Sequence, residues 1–185
     1  MIISFAGLHG TGKSTIAKKI AKYYNYIFYS TGMVFRDLAK EKNMSLEDFS
    51  RYAETHPEID QELDDKIISM AKTGNSYVFD GQLPAFMLKG LNDYCILLTC
   101  DNDVRLTRMA KRDEKSLEDQ KKETIAREDS ERERFIQLYN LDILDPGKIL
   151  ETFDLIIDTS NLKIEDVFKI CLAAIDGIRA SIGLN

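Results

Sequence analysis

The chain has 185 residues, of which 44% are hydrophobic and 30% are charged, and its formal net charge is −6. This length suits one compact α/β domain with a substantial core, so we predict a single domain over residues 1–185. The negative charge argues against a broad surface for nucleic-acid polymers or anionic membranes, whereas a few converging arginines are enough to bind a nucleotide.

The cysteines and the N-terminus predict the compartment. Cys95, Cys100 and Cys171 are odd in number and lack metal-ligand spacing, so we expect free, buried thiols in a reducing environment. The first apolar stretch begins at the N-terminus without a basic leader, and no apolar run approaches the length of a membrane span. We therefore expect a cytoplasmic protein that makes no membrane contact.

The most informative segment is GLHGTGKST at residues 7–15, which follows an apolar run typical of a buried strand and precedes a helical pattern. Its spacing is that of a phosphate loop. The glycines let the backbone approach a ligand, and the loop N–H groups at the helix start attract a polyphosphate. Lys13 is expected to meet the β and γ oxygens, and Ser14 to bind Mg²⁺. The predicted ATP-binding residues are Gly7, Gly10, Thr11, Gly12, Lys13, Ser14 and Thr15.

The rest of the chain alternates predicted strands and helices. After the first strand, strands are predicted at residues 26–29, 76–79, 93–99 and 153–157. Helices are predicted at residues 16–21, 33–41, from about 45, at 58–72, at 101–139 with a break near 113–116, and at 163–182. Five strands with crossover helices imply a parallel sheet, and ligands bind at the carboxyl ends of such strands.

Polar residues follow two of these strands at the predicted ligand edge. Asp80 precedes Gly81, a pairing common in turns, but together with Ser14 it is expected to hold Mg²⁺ through water. Ser30 or Thr31 is expected to cap the next helix, whose first turns carry Arg36. The sequence therefore predicts a second anion site beside the phosphate loop.

The segment at residues 126–134 is a dense cluster of arginines and acids. Arg127 and Arg134 are seven residues apart, which places them on nearly the same helix face. A solvated helix with weak ion pairs is one interpretation. The other is a mobile helix whose arginines clamp a transferred phosphoryl group and exclude water. Arg108, chosen from Arg105, Arg108 and Arg112, is predicted as a further catalytic arginine.

Five segments, in order, resemble the nucleoside monophosphate kinases, most closely the short archaeal type of cytidylate kinase. They are residues 7–15, 30–64, 77–81, 125–143 and 154–160. The resemblance implies a five-stranded parallel P-loop architecture, a monophosphate-binding helical segment at about 31–73 and a helical lid at about 112–140. It also implies Mg²⁺-dependent transfer from ATP to CMP, or to dCMP or UMP.

The same resemblance implies roles for individual residues. Ser30 and Arg36 would bind the acceptor monophosphate, and Glu131 would contact its ribose. Arg127 and Arg134 would meet both phosphates from the lid. The segment at 158–160, with Ser160, would approach the ATP base.

Gln82 departs from the family, which usually has an arginine there for the acceptor phosphate. Glutamine donates hydrogen bonds but lacks the charge and the rigid fork of arginine. Adenylate or thymidylate as acceptor, another small-molecule kinase, and a weakened nucleotide-binding regulatory module therefore stay open. A GTPase is disfavoured because the chain has no Asn-Lys-x-Asp segment. His9 is interpreted as a filler at a variable loop position. We expect ATP and a nucleoside monophosphate as partners of a monomer or weak dimer.

Overall fold

The computed structural model describes residues 1–183 and contains one parallel sheet of five strands, as predicted. The strands are β1 (Ile2–Ala6), β2 (Ile27–Ser30), β3 (Tyr77–Asp80), β4 (Tyr94–Thr99) and β5 (Leu155–Asp158). Their order is β2-β3-β1-β4-β5, with every neighbouring pair parallel. Because β1 is central, the loop that follows it lies between the carboxyl ends of β3 and β4.

Helices connect these strands. They are α1 (Lys13–Tyr24), α2 (Thr31–Glu41), α3 (Leu46–Glu54), α4 (Glu58–Ala71), α5 (Pro84–Met87), α6 (Asn102–Asp113), α7 (Leu117–Tyr139), α8 (Pro146–Thr152) and α9 (Ile164–Ser181). The predicted break near 113–116 is confirmed, because Glu114 adopts a left-handed conformation (φ 53°) between α6 and α7. The short helices α5 and α8 were not predicted, since four and seven residues are too few for helical periodicity to show.

Four strands, β2 to β5, begin one or two residues later than predicted. Asn25 ends α1 in the left-handed region (φ 57°), and the amide of Tyr26 still donates to Ala21 of that helix. Phe153 caps α8 instead of opening β5. The shift matters for the site, because Ser30 and Asp80 become paired strand ends in register.

Separate helices cover the two faces of the sheet. On one face, apolar residues of α1 and α9 such as Ile20 and Ile175 pack with Phe5 and Ile96 of the central strands. On the other face, Ile67 of α4 packs against β1 and β3. Helices α2, α3 and α4 share a smaller core of their own, which supports the acceptor side of the site. Among the described residues, no helix is long and apolar enough to cross a membrane.

The cysteines are free, as predicted. Cys95 and Cys171 are buried, and burial raises the pKa of both thiols to about 12. Cys100 is partly exposed, which differs from the expectation of three buried thiols.

Gly7 is where the loop passes closest to the sheet. Its φ is 143°, and a Cβ added there would lie 2.2 Å from the Leu98 carbonyl oxygen. We expect Gly7→Ala to lower the free energy of unfolding by at least about 2 kcal/mol, because the clash adds to the backbone strain. Denaturant unfolding measures this. Gly90→Ala is the matched control, since φ is 84° but the added Cβ meets nothing within 4 Å. Equal losses in both variants would contradict the close-approach argument.

Candidate active site

The phosphate loop has the predicted geometry. Gly10 and Gly12 have φ values of 82° and 94°, and α1 begins at Lys13 directly after them. The buried Thr11 hydroxyl donates to the Leu8 carbonyl (2.9 Å) and fixes the loop from inside. Anions are favoured here, since the first N–H groups of a helix have no partner within the helix.

Lys13 is held at the mouth of this loop. Its Nζ donates to the Leu8 carbonyl at 3.3 Å, a single bond that a phosphate oxygen can replace. Burial lowers the pKa of the Lys13 ammonium, while the nearby Asp80 and Glu131 carboxylates oppose that shift. The side chain is therefore placed among acids but is not committed to an ion pair.

Two cavities meet at Lys13. The larger one follows the loop and α1 and also reaches Arg108, Thr159 and Leu162. The smaller one, about 650 Å³, extends from the loop toward α2, α4 and α7. The residues common to both are His9, Lys13, Ser14, Arg36 and Arg127. Three of these five are permanent or nearly permanent cations, so the boundary between the cavities is positively charged.

Asp80 and Ser30 line the smaller cavity as adjacent strand ends. Ser30 Oγ donates to Asp80 Oδ2 at 2.7 Å and also caps α2 by accepting from the Met33 amide at 3.3 Å. Asp80 is 1% exposed, and its Oδ1 atom is buried without a hydrogen-bond partner among the described residues. A buried carboxylate oxygen of this kind requires a donor or a cation. Asp80 therefore fits a cation such as Mg²⁺, held with Ser14.

Glu131 joins three parts of the site. Its carboxylate accepts from Arg127 Nε (2.7 Å), from His9 Nε2 (2.8 Å) and from the Gln82 side-chain amide. Burial alone opposes ionisation of Glu131, but His9 and Arg127 outweigh it and hold its pKa well below the usual range. Since the carboxylate only accepts, the His9 ring must donate. His9 is thus a link between the loop and α7, and the interpretation of His9 as a filler is wrong.

Arg105 is the buried arginine of α6, although Arg108 was the one predicted from the sequence. Its Nη1 and Nη2 donate to the two oxygens of Glu128 at 2.7 and 2.9 Å, and Nη1 also donates to the His9 carbonyl at 3.1 Å. The His9 amide in turn donates to Glu128 at 3.1 Å. A second ion pair therefore ties α6, the loop and α7 together. The feature of the sequence that could have identified Arg105 is its position next to the apolar Leu106, which is also buried.

Arg108 is committed to the loop after β5. It donates to the Thr159 carbonyl (2.8 Å) and hydroxyl (3.2 Å) and to the Ser160 carbonyl (3.3 Å). Ser160 is held further by Asp158, which accepts from its hydroxyl and its amide. Arg108 and Thr159 line the larger cavity. The donors of Arg108 thus shape that wall, and its catalytic role stays a prediction.

Arg134 is buried among side-chain partners. It is 4% exposed and donates from Nε to Asp60 at 2.7 Å, and from Nη1 to Ser50 and Ser130. It lines the smaller cavity but not the larger one, whereas Arg127 lines both. Its contact with both phosphates from the lid stays a prediction.

Solved structures resemble this fold at low sequence identity. A protein from Eubacterium ventriosum described as uncharacterized matches 95% of the chain with a TM-score of 0.70 and 17% identity, over 98% of its own length. Shikimate kinase from Aquifex aeolicus matches 96% of the chain and 97% of its own, with a TM-score of 0.57 and 16% identity. These likenesses concern the fold.

Sequence relatives are closer. A family model described as an AAA domain matches residues 3–135. The cytidylate kinase of Methanocaldococcus jannaschii is 43% identical over 97% of this chain and 99% of its own. The cytidylate kinase of Pyrococcus horikoshii is 44% identical over 95% of this chain and 88% of its own length. At such identity over nearly the whole chain, and with the phosphate loop intact, the protein belongs to the cytidylate kinase family.

Proposed function

We propose that the protein transfers the γ-phosphoryl group of ATP to CMP, with dCMP and UMP as the nearest alternative acceptors. The observation that carries this proposal is the pair of cavities that share a cationic boundary. The larger cavity contains the phosphate loop and suits the triphosphate. The smaller cavity then holds the acceptor, so that the two phosphates meet at Lys13, Arg36 and Arg127.

The donor is bound by the loop. Backbone N–H groups of residues 10–15 would surround the β-phosphate at the start of α1, and Lys13 would meet oxygens of the β- and γ-phosphates. Thr159, held by Arg108, forms part of the far wall of the larger cavity, and Ser160 follows it in the chain. We place the nucleoside of ATP along that wall.

Mg²⁺ fits the acidic side of the boundary. Ser14 and Asp80 would hold it, and when bound with ATP it neutralises charge between the phosphates. Among the described residues no three acidic, histidine or cysteine side chains form a cluster for a metal. The remaining ligands would therefore be phosphate oxygens and water, which is the usual mode of Mg²⁺ binding at nucleotide sites.

The acceptor side needs cations but no general base. A phosphate monoester is largely ionised near neutral pH, so its oxygen is already a nucleophile. Burial and the neighbouring Arg127 both lower the pKa of Arg36, while Asp80 opposes that shift, so Arg36 and Arg127 bring two positive charges close together. Arg36 and Arg127 would orient the acceptor and balance charge on the equatorial oxygens, so catalysis consists of positioning and electrostatic stabilisation.

Helix α7 acts as the lid in this proposal. In the structure it is docked on the loop through Glu128 and Glu131, both of which contact His9. A docked lid excludes water from the transfer step, which protects ATP from hydrolysis. Opening of the lid must break these contacts, so the two glutamates would set its closing equilibrium.

A substrate panel tests the proposal. ADP formation from ATP and Mg²⁺ is measured by a coupled assay with CMP, dCMP, UMP, AMP and dTMP in turn. Turnover that is highest with CMP supports the proposal. Turnover that is highest with AMP would instead identify an adenylate kinase-like activity. Binding of nucleotides by calorimetry without turnover would favour a regulatory module. The proposal also includes a cytoplasmic location and a monomer or weak dimer. Sedimentation analysis at several concentrations tests the oligomeric state.

Gln82→Arg is expected to lower the KM for CMP by about tenfold or more. Gln82 lines the smaller cavity beside His9 and Glu131, and a guanidinium there adds a charge-assisted bond to the acceptor phosphate. Initial rates at saturating ATP measure the change. Gln82→Met is the control, because it keeps the length without the donor. An unchanged or higher KM in Gln82→Arg would show that the pocket serves another ligand.

A further inference from the structure

His9 has one ring nitrogen that is bonded and one that is free. Its Nε2 atom contacts Glu131 at 2.8 Å, and because the carboxylate only accepts, Nε2 carries a hydrogen. Its Nδ1 atom makes no hydrogen bond within residues 1–183 and is not sealed from solvent. The side chain lines both the larger and the smaller cavity, which places the free nitrogen at their shared boundary. The ring is therefore held at one edge and open to a ligand at the other.

The charges that line the smaller cavity are balanced without His9. Four of the lining side chains are cations and four are acids, namely Lys13, Arg36, Arg127 and Arg134, and Asp60, Asp64, Asp80 and Glu131. Two of the cations are already paired, Arg127 with Glu131 and Arg134 with Asp60. A nucleoside monophosphate brings about two negative charges at neutral pH. One more positive charge on this lining would favour that ligand, and the free nitrogen of His9 is a place where a proton can add it.

The surroundings of the ring favour its neutral form in this structure. Burial is the main cause of a lowered His9 pKa, Arg127 and Lys13 lower it further, and Glu131 opposes them. At neutral pH the free Nδ1 therefore carries a lone pair and no hydrogen. The charged groups around the ring, taken from each neighbouring element, are Lys13 of α1, Arg36 of α2, Asp80 of β3, Arg105 of α6, and Arg127, Glu128 and Glu131 of α7.

A phosphate at the boundary would reverse this preference. Its negative charge favours the cationic ring, and its oxygens accept the hydrogen that protonation adds at Nδ1. A neutral ring would instead turn a lone pair toward an anionic oxygen. Because Nε2 can stay bonded to Glu131 in both forms, only Nδ1 changes, and its proton comes from solvent. Phosphate binding and protonation of His9 are therefore linked.

We propose that His9 takes up one proton when the acceptor monophosphate binds, and that its Nδ1–H then donates to the acceptor phosphate. This inference rests on the proposed function, because it adds a residue to the acceptor side of that site. The cationic ring is present below the pKa that His9 has in the complex and is lost above it. Acceptor affinity should therefore fall as the pH rises through that value.

Calorimetry of CMP binding without ATP counts the proton. Titrations at about pH 7.5 in two buffers of different ionisation enthalpy give the number of protons taken up. The phosphate of free CMP is already ionised at this pH, since its second pKa is about 6. We expect uptake approaching about one proton per CMP in the unaltered protein and none in His9→Gln. Glutamine keeps an N–H donor for Glu131 but does not gain a proton near neutral pH.

His56→Gln is the matched control. His56 is the other histidine of the chain and lines neither cavity, so this variant should take up as many protons as the unaltered protein. Thermal unfolding verifies that both variants fold. If His9→Gln does not fold, NMR of the histidine rings in the unaltered protein replaces it, because the His9 ring must gain a proton when CMP is added.

The KM for CMP gives a second, independent measurement. At saturating ATP and Mg²⁺ and about pH 7, the KM of His9→Gln should be about tenfold to a hundredfold higher than that of the unaltered protein. The difference should shrink toward about pH 9, as His9 loses its proton. Asp64, whose pKa burial raises to about 6, and Lys13 are present in both proteins, so the comparison at each pH isolates His9.

The possible outcomes separate the two proposals. CMP binding without proton uptake, or with equal uptake in His9→Gln, overturns the role of His9 and leaves the proposed function intact. A KM difference that is the same at every pH also overturns it, since a merely structural residue would have that effect. If no pyrimidine monophosphate is bound, both proposals are overturned.

Discussion

Lys13→Ala is expected to abolish measurable phosphoryl transfer, a loss of at least about a thousandfold in kcat. Lys13 is a cation shared by the larger and smaller cavities, which the proposed function assigns to the donor and the acceptor, so the transferred group would pass beside it. Rates at saturating ATP and CMP measure the loss. Stability should change little, because the only hydrogen bond that Nζ makes within residues 1–183 is to the Leu8 carbonyl.

Lys22→Ala is the control for Lys13→Ala. Lys22 is exposed in the last turn of the same helix, so its removal tests the general effect of losing a lysine from α1. Full activity in Lys22→Ala with lost activity in Lys13→Ala is the expected pattern. Turnover retained in Lys13→Ala would remove the central role of this lysine, and the cationic boundary would then have to act through Arg36 and Arg127.

The parts of the site that the sequence predicted are local ones. The phosphate loop is specified by glycines whose positive φ values and spacing allow one backbone path, so nine consecutive residues were enough. The ligand edge followed from strand order, because Ser30 and Asp80 each end a parallel strand. Both features depend on backbone geometry within one element or between adjacent strands.

The pairings across the site were not predictable in the same way. His9 meets Glu131 across 122 positions, and Arg134 meets Asp60 across 74. Which face of α7 turns inward depends on how α6 and α7 pack after the left-handed turn at Glu114. Helical spacing shows that residues share a face, but it does not show which partner that face meets.

The charged segment of α7 combines the two interpretations that its sequence allowed. One side carries exposed pairs, such as Arg132 with Asp142, which contribute little to stability. The other side carries Glu128 and Glu131, which pair with Arg105 of α6 and His9 of the loop. The sequence does not distinguish these sides because both are rich in arginine and glutamate. Only the inward side can link lid position to the phosphate loop.

Glu128→Ala is expected to lower the free energy of unfolding by about 3–5 kcal/mol. The side chains of Arg105 and Glu128 are 4% and 11% exposed, so the variant leaves a buried guanidinium without its carboxylate. It also removes the acceptor of the His9 amide. Chemical denaturation measures the loss. We expect a higher KM for ATP as well, because the loop loses its contact with α7.

The control and the rescue separate charge from packing. Glu165→Ala removes an exposed pair with Lys19 and should change stability by at most about 1 kcal/mol. The double variant Arg105→Met, Glu128→Leu should recover most of the stability lost in Glu128→Ala, since apolar side chains of similar volume avoid the unpaired charge. It should not restore the KM for ATP, because neither new side chain bonds the backbone of His9. If Glu128→Ala and Glu165→Ala lose equally little stability, the Arg105–Glu128 pair does not stabilise the docked lid. Helix α7 must then be held by its other contacts, such as Glu131 with His9 and Arg134 with Asp60.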